Sequence, residues 1–340
     1  MPQDPRPLPA HLGESFRVSA ARASGVSRGR LRSRDLDRPF WGVRQRVGDR
    51  LEVRPDDTAQ AAAARRRVLA YAPRLSPLAF YVGSSAALLL RLPIPVDDLT
   101  VHIGVLHPHR SPRGTGVRGH QIMPHLVSVR EHEGLRIASP ASVWVQLGAE
   151  LGVRDLVAAG DAVVRVPRGE GGVRRNPGSA LATIKQLRNA VDAGPRAGAA
   201  KLRAAWPLIR GGAMSRPEVH LRLDLADAGL PEPELDFEVR TDGGILLGIS
   251  EIAYPTWRVA LEYEGDHHRT DREQWNRDID KCDAYRRAGW DVVRITRAHQ
   301  YGAPGRPATA VQRVRDALLR AGWTGSGTDP SRTQAQEGTW

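Results

Sequence analysis

The sequence predicts an α/β protein in which a C-terminal mixed sheet flanked by helices follows an α+β middle region and a short, basic helical unit. Two runs rich in β-branched and aromatic residues, 245–253 and 257–264, flank Pro255 and read as strands joined by a tight connection. A helical segment through Trp275, Arg277 and Arg287 then leads into the strand-like 290–296. Upstream, a strand-like 99–105 lies among segments with helical patterns, which makes the middle of the chain α+β.

At 340 residues the chain is long enough for two or three domains with cores of their own. A net charge of +12 favours a polyanionic partner, nucleic acid ahead of a membrane surface. Arginine supplies nearly all of it, Lys185, Lys201 and Lys281 being the only lysines. The lone Cys282 excludes an intrachain disulfide and a multi-cysteine zinc site, and fits a reducing, cytoplasmic setting. The proline-rich N-terminus lacks the apolar run of a secretory signal, and the most apolar stretch, 78–92, is too short to span a bilayer. No membrane association is expected.

Residues 1–13 read as a flexible leader. The next segment, 14–55, offers a short helix, Gly25 at a turn, and a second helix from about Ser27 capped by its hydroxyl, a helix-turn-helix pattern. Residues 1–50 hold 11 arginines against five acids. In such a unit the second helix enters the major groove, which would bring Arg28, Arg30, Arg32 and Arg34 to phosphates or base edges. Residues 39–43 read as a wing strand, with Trp41 open to a core role, and a solvated basic hairpin is the alternative for the whole unit.

The middle domain is expected over 56–166, with helices at 56–72 and 84–92, the strand at 99–105, a turn-rich basic hairpin after it, and two helical segments parted near Gly152. Gly114, Gly116 and Gly119 match G-x-G-x-x-G, yet Pro124 and a strand-like run follow where a pyrophosphate-binding helix should start. His102, His107, His109, His120, His125 and His132 have no metal-site spacing and read as surface or core residues. A linker with basic helices, about 181–193 and 195–207, fills 167–212. The last domain spans 213–320, and 321–340 reads as a disordered tail.

The chemistry concentrates in that last domain. Strand alternation sends Val259, Leu261 and Tyr263 to one face and Ala260, Glu262 and Glu264 to the other, where Glu251 of the neighbouring strand can join them. Crowded carboxylates repel unless a cation sits among them, and hard oxygen donors suit Mg2+ or Mn2+. Solvated glutamates on an exposed edge are the alternative. Ser215 and Glu218 have capping-box spacing, so Glu218 is either a helix cap or a site residue. Lys281 lies four residues after Arg277 on the same helical face and is the candidate cation, the alternative being an exposed lysine paired with an acid.

The strand with an acid, a turn, the E-x-E-G strand, Asp266-His267-His268, and the helix with Trp275, Arg277, Asp278, Gly289 and Trp290 resemble the very-short-patch-repair-like branch of the PD-(D/E)XK nucleases over about 215–300. That resemblance implies a restriction-endonuclease-like fold and metal-dependent endonuclease activity on DNA, in repair or phage defence. It places Glu251 at the family's metal-binding aspartate, Glu262 at the following acid and Glu218 at the glutamate of the first helix. Glu251 and Glu262 would hold the metal, Glu218 would assist through a water, and His267 or His268 would orient the nucleophile or protonate the leaving oxygen. Arg277 would contact DNA. Glu264 departs from the pattern, standing where the wider superfamily often has lysine.

The N-terminal stretch resembles the winged helix-turn-helix domain of abortive-infection-type antitoxins, and the middle region, from SPASVW to AAGDAV, is similar to the one such proteins carry. This second resemblance implies an alternative function, a non-catalytic DNA-binding transcriptional regulator with a degenerate nuclease fold. It leaves a toxin or a second copy of the chain open as a partner.

Overall fold

The computed structural model describes residues 6–47, 58–169, 177–212, 215–264, 272–306 and 308–325, with the backbone alone for 177 and 272–278. The chain divides into two units, Met1–Gly152 with Ala182–Arg203 and Val153–Leu181 with Ala204–Trp340. The division differs from the boundaries expected after residues 55 and 166. The N-terminal and middle regions share one unit, and the helix that opens at Val153 belongs with the C-terminal sheet.

In the first unit, β1 (Ser15–Arg17), β2 (Leu36–Asp37) and β3 (Val43–Arg46) form an antiparallel sheet in the order β1-β3-β2. Phe16, Ala21, Leu31 and Leu36 form its core together with Leu8 and Leu12. Helix α1 (Val18–Ala23) stops at Ser24, and Gly25 takes the positive φ of 81° that the tight exit requires. The second helix of the expected helix-turn-helix does not form. Residues 27–33 make turns and one 3-10 turn, Arg30–Arg32, whose entry Ser27 caps by accepting the Arg30 N–H at 3.1 Å. The cap signal was real, but Leu31 and Leu36 are the only buried residues in 27–36, so no apolar stripe exists to hold a longer helix. Trp41 is 88% exposed, so it is not core.

A five-stranded sheet follows, in the order β6-β5-β4-β8-β7. Its strands are β4 (Ala79–Tyr81), β5 (Val101–Leu106), β6 (Val117–Ile122), β7 (Val129–His132) and β8 (Leu135–Ala138). The expected hairpin after β5 is corrected here: β5 and β6 run parallel, with Val101 opposite Val117 and Leu106 opposite Ile122. The chain between them runs back alongside β6, so closely that a Cβ on Gly119 would sit 2.1 Å from the Pro112 carbonyl oxygen. That approach, not phosphate binding, explains the third glycine of the motif. Helices α2 (Ala59–Ala70), α3 (Gly83–Leu89), α4 (Pro140–Leu147), α6 (Ile184–Asp192) and α7 (Ala199–Ala205) complete this unit. His102 is buried, 3.3 Å from Glu150, with its ring 5.1 Å from that of His120.

In the second unit, β9 (Glu234–Arg240), β10 (Leu246–Tyr254) and β11 (Val259–Glu264) are antiparallel neighbours, while β12 (Asp291–Thr296) runs parallel to β11. Parallel neighbours need a crossover, and α9 (Arg272–Arg287) supplies it. One face of the sheet, with Ile252, Val259, Leu261 and Ile295, packs on Leu221 and Leu225 of α8 (Arg216–Asp227) and on Val314 and Leu318 of α11 (Ala310–Arg320). The other face, with Ala253 and Ala260, packs on Cys282 and Tyr285 of α9. The alternation read along 259–263 is therefore the division between two cores. This unit also holds α5 (Val153–Val164) and α10 (Arg297–Tyr301).

Two polar locks fix α5 against α8. The buried Asp161 carboxylate accepts from Arg222 at 3.2 Å and from the backbone N–H of Arg210 and Gly211 at 2.6 and 3.2 Å. Nearly two turns earlier, Asp155 accepts from His220 at 3.0 Å and from Arg216 at 2.5 Å. Burial works against ionisation there, but those two hydrogen bonds outweigh it and hold the Asp155 carboxyl at about 2. Each lock satisfies a charge that would otherwise be costly to bury.

Candidate active site

Glu251 and Glu262 meet because of strand register. The β10–β11 ladder pairs Tyr254 with Val259, Ala253 with Ala260 and Ile252 with Leu261, so the next residues along the two strands are Glu251 and Glu262. Both lie on the α9 side of the sheet, since the pleat sends Ile252 and Leu261 to the opposite core. Glu251 accepts the Tyr263 N–H at 3.1 Å. Glu262, 8% exposed, accepts from the Lys281 ammonium at 2.6 Å.

Lys281 reaches this position because α9 lies close over β10. A Cβ on Gly248 would stand 3.0 Å from the Lys281 stem and 2.8 Å from the Tyr285 hydroxyl, so no larger residue fits there without displacing them. Glycine inside a strand is the signal of such an approach, and it was present in the sequence. The Lys281 ammonium also lies 3.4 Å from the Ile249 carbonyl.

Glu218 arrives from α8. Ser215 caps that helix by accepting the Glu218 N–H at 3.4 Å, so the cap uses the glutamate's backbone, while its side chain lines a 380 Å3 cavity with Glu251 and Lys281. Burial pushes the Glu251 carboxyl well above the ordinary carboxylate range. The charges of Glu218 and Glu262 push in the same direction, against smaller opposing effects of Lys281 and the Tyr263 N–H. The site is thus electrostatically frustrated: burial and two neighbouring carboxylates oppose the ionisation of Glu251 more than Lys281 favours it.

Of the other expected residues, those that are described do not join the cluster. Glu264 is tied to Arg294 across the β11–β12 pair at 2.5 Å and does not join the cluster. His267 and His268 lie outside the described residues. Arg277 sits on α9 one turn before Lys281, with its side chain outside the description. In the first unit, Arg28, Arg32 and Arg34 are exposed, on turns instead of a helix. Arg30 donates to Asp35 through two hydrogen bonds of 2.9 and 2.7 Å, a pairing that competes with the expected contact to DNA. Arg32 and Arg38 stand near enough to Arg44 that, after burial, their charges lower its pKa.

Sequence reasoning missed the cavity's far wall. Arg165, Pro167 and Arg168, which follow α5, and Asp236 of β9 line the same space. Arg168 donates to both Asp236 oxygens at 2.9 and 2.8 Å and to Glu238 at 2.8 Å, which fastens this segment to the sheet. Nothing in its local sequence marks it as part of a site more than 80 residues distant along the chain, at Glu251.

Among the described residues, no group of three or more histidine, cysteine, aspartate or glutamate side chains is placed to hold a metal ion. The donor chemistry nevertheless fits Mg2+ or Mn2+. Mg2+ is usually held by one or two carboxylates and keeps several waters, which Glu251 and Glu262 on adjacent strands can satisfy. The repulsion at Glu251 is what a bound cation would relieve.

Two proteins of Mycobacterium tuberculosis, the uncharacterized protein MT2308 (strain CDC 1551 / Oshkosh) and the uncharacterized protein Rv2248 (strain ATCC 25618 / H37Rv), are similar to this chain. Each is 27% identical over 255 residues, covering 73% of this chain and 88% of the relative. A match of that length cannot be confined to either unit. No protein-family model matches the chain, and no solved structure matches it.

Proposed function

We propose that this protein binds DNA and hydrolyses its phosphodiester bonds with a divalent metal ion, Mg2+ or Mn2+. The observation that carries this reading is the convergence of Glu251, Glu262 and Lys281, from two adjacent strands and their crossover helix, beside a cavity that Glu218 also lines. Glu251 and Glu262 would hold the ion, with the Tyr263 carbonyl as a further oxygen donor. When bound, that ion supplies Lewis acidity toward phosphate oxygen and lowers the pKa of water. Lys281 balances the charge of Glu262 and donates hydrogen bonds where negative charge develops. Glu218 faces the same space and orients water. Glu251 must lose its proton to act as a donor, so metal binding should tighten as pH rises through its elevated metal-free pKa.

DNA binding draws support from the net charge of +12 and from the exposed Arg28, Arg32 and Arg34 of the first unit. The second reading, a DNA-binding regulator without chemistry, is favoured by one observation: Glu264 stands in the lysine's usual place and is neutralised by Arg294. Incubating the purified full chain with supercoiled plasmid in Mg2+, Mn2+ or EDTA separates the two. Nicking in metal that EDTA abolishes supports the nuclease, and intact plasmid bound by the protein supports the regulator.

A further inference from the structure

The cavity beside Glu251 has three basic residues in its wall, Lys281, Arg168 and Arg165. Two are already committed. Lys281 is 2.6 Å from Glu262, and Arg168, with a side chain only 8% exposed, is held by Asp236 and Glu238. Arg165 differs from both. Its Nε is buried with no hydrogen-bond partner, and among the described residues no acid pairs with it. A guanidinium is always charged and presents planar donors that match phosphate oxygens. Leaving a buried donor of that kind unmade is costly unless a ligand satisfies it.

The surrounding structure holds Arg165 in place. It follows directly on α5, whose Asp161 locks that helix to α8 and to the 210–211 backbone, and three residues later Arg168 is fastened to β9. The same cavity wall carries Glu218 and Glu251, which repel a phosphate unless a cation intervenes. An anionic strand entering this space needs a positive group that no carboxylate has already taken, and among the described residues Arg165 is that group.

We propose that Arg165 is a substrate-binding residue that receives a backbone phosphate of the DNA strand in this cavity. The proposal rests on the nuclease reading above and extends it to a residue outside the strands and helix that carry the acids.

The test compares the wild-type full chain with Arg165→Ala and Arg165→Lys. Plasmid nicking gives kcat and KM, and anisotropy with a fluorescein-labelled duplex in Ca2+ in place of Mg2+, so that a cation offsets Glu218 and Glu251, gives the salt dependence of binding. A charged hydrogen bond of about 1.5–3 kcal/mol corresponds to a KM rise of roughly 10- to 100-fold in Arg165→Ala, with kcat much less affected and partial recovery in Arg165→Lys. The slope of log affinity against log salt should fall by about 0.9, one phosphate contact. Thermal stability should not change, because no partner among the described residues is lost. Unchanged KM and slope would overturn the proposal, as would equal losses in both variants with a lowered melting temperature, the mark of a structural role. Should the wild type cleave nothing in any metal, the nuclease reading fails, and the slope alone decides Arg165: a drop supports phosphate binding and an unchanged slope refutes it.

Discussion

Replacing Glu251 with Gln should stabilise the metal-free protein, and only above acidic pH. Burial, Glu218 and Glu262 raise the pKa of this carboxyl well above its ordinary 4.5. Between 4.5 and the elevated value, the folded chain keeps a proton that the unfolded chain has released. Folding stability from this group is therefore fully present below pH 4.5 and is lost as pH rises through the folded pKa, at up to about 1.4 kcal/mol per pH unit. Glutamine keeps an oxygen for the Tyr263 N–H, 3.1 Å away, and has no proton to lose. The variant and the wild type should coincide near pH 4.5 and diverge above it, the variant gaining about 2–4 °C in melting temperature per kcal/mol. Calorimetry of the full chain in EDTA from pH 4.5 to 8 measures this directly, and Mg2+ should restore the wild type by mass action. Parallel curves across the range, or a variant less stable at pH 8, would refute the frustrated site.

The other variants probe its parts. Lys281→Met leaves the Glu262 carboxylate, 8% exposed as a residue, without its cation, and should cost about 3 kcal/mol and about 10²-fold in turnover. In a cycle with Glu262→Gln the two losses should not add, and a coupling below about 0.5 kcal/mol measured by urea denaturation would contradict the pair. Gly248→Ala forces a methyl to within 3.0 Å of the Lys281 stem, so overpacking of about 1–3 kcal/mol should accompany lost turnover, with no charge changed. Wild-type turnover in this variant would show that α9 yields freely. Arg30→Ala should lower stability by about 1.5–3 kcal/mol through loss of the Asp35 pair, yet leave the salt slope of DNA binding unchanged. Arg28→Ala should do the reverse, lowering that slope by about 0.9.

What the sequence revealed and what it hid follow from how local each determinant is. Alternation along Val259–Glu264 is local, and it correctly divided Leu261 from Glu262 between two faces. The 281-to-262 meeting was legible because the one lysine in the domain lay on the helix expected between the acid-bearing strand and the strand at 290–296. The missing second N-terminal helix was illegible for the opposite reason: Ser27 caps, but capping does not supply the buried stripe that only tertiary packing reveals. The parallel pairing of β5 with β6 depends on the path of residues 107–116, which no periodicity encodes. Arg165 lay deepest of all, since its cavity is assembled from the segment after α5 and from α8, α9, β9 and β10, and its own neighbours spell only a helix end.

Single-turnover cleavage of plasmid DNA by the full chain in Mg2+ or Mn2+, set beside Glu262→Ala under the same conditions, tests the central claim most directly. The account predicts metal-dependent nicking by the wild type, none by Glu262→Ala, and DNA affinities within a few fold of each other. Cleavage that survives Glu262→Ala, or that proceeds equally in EDTA, would contradict it.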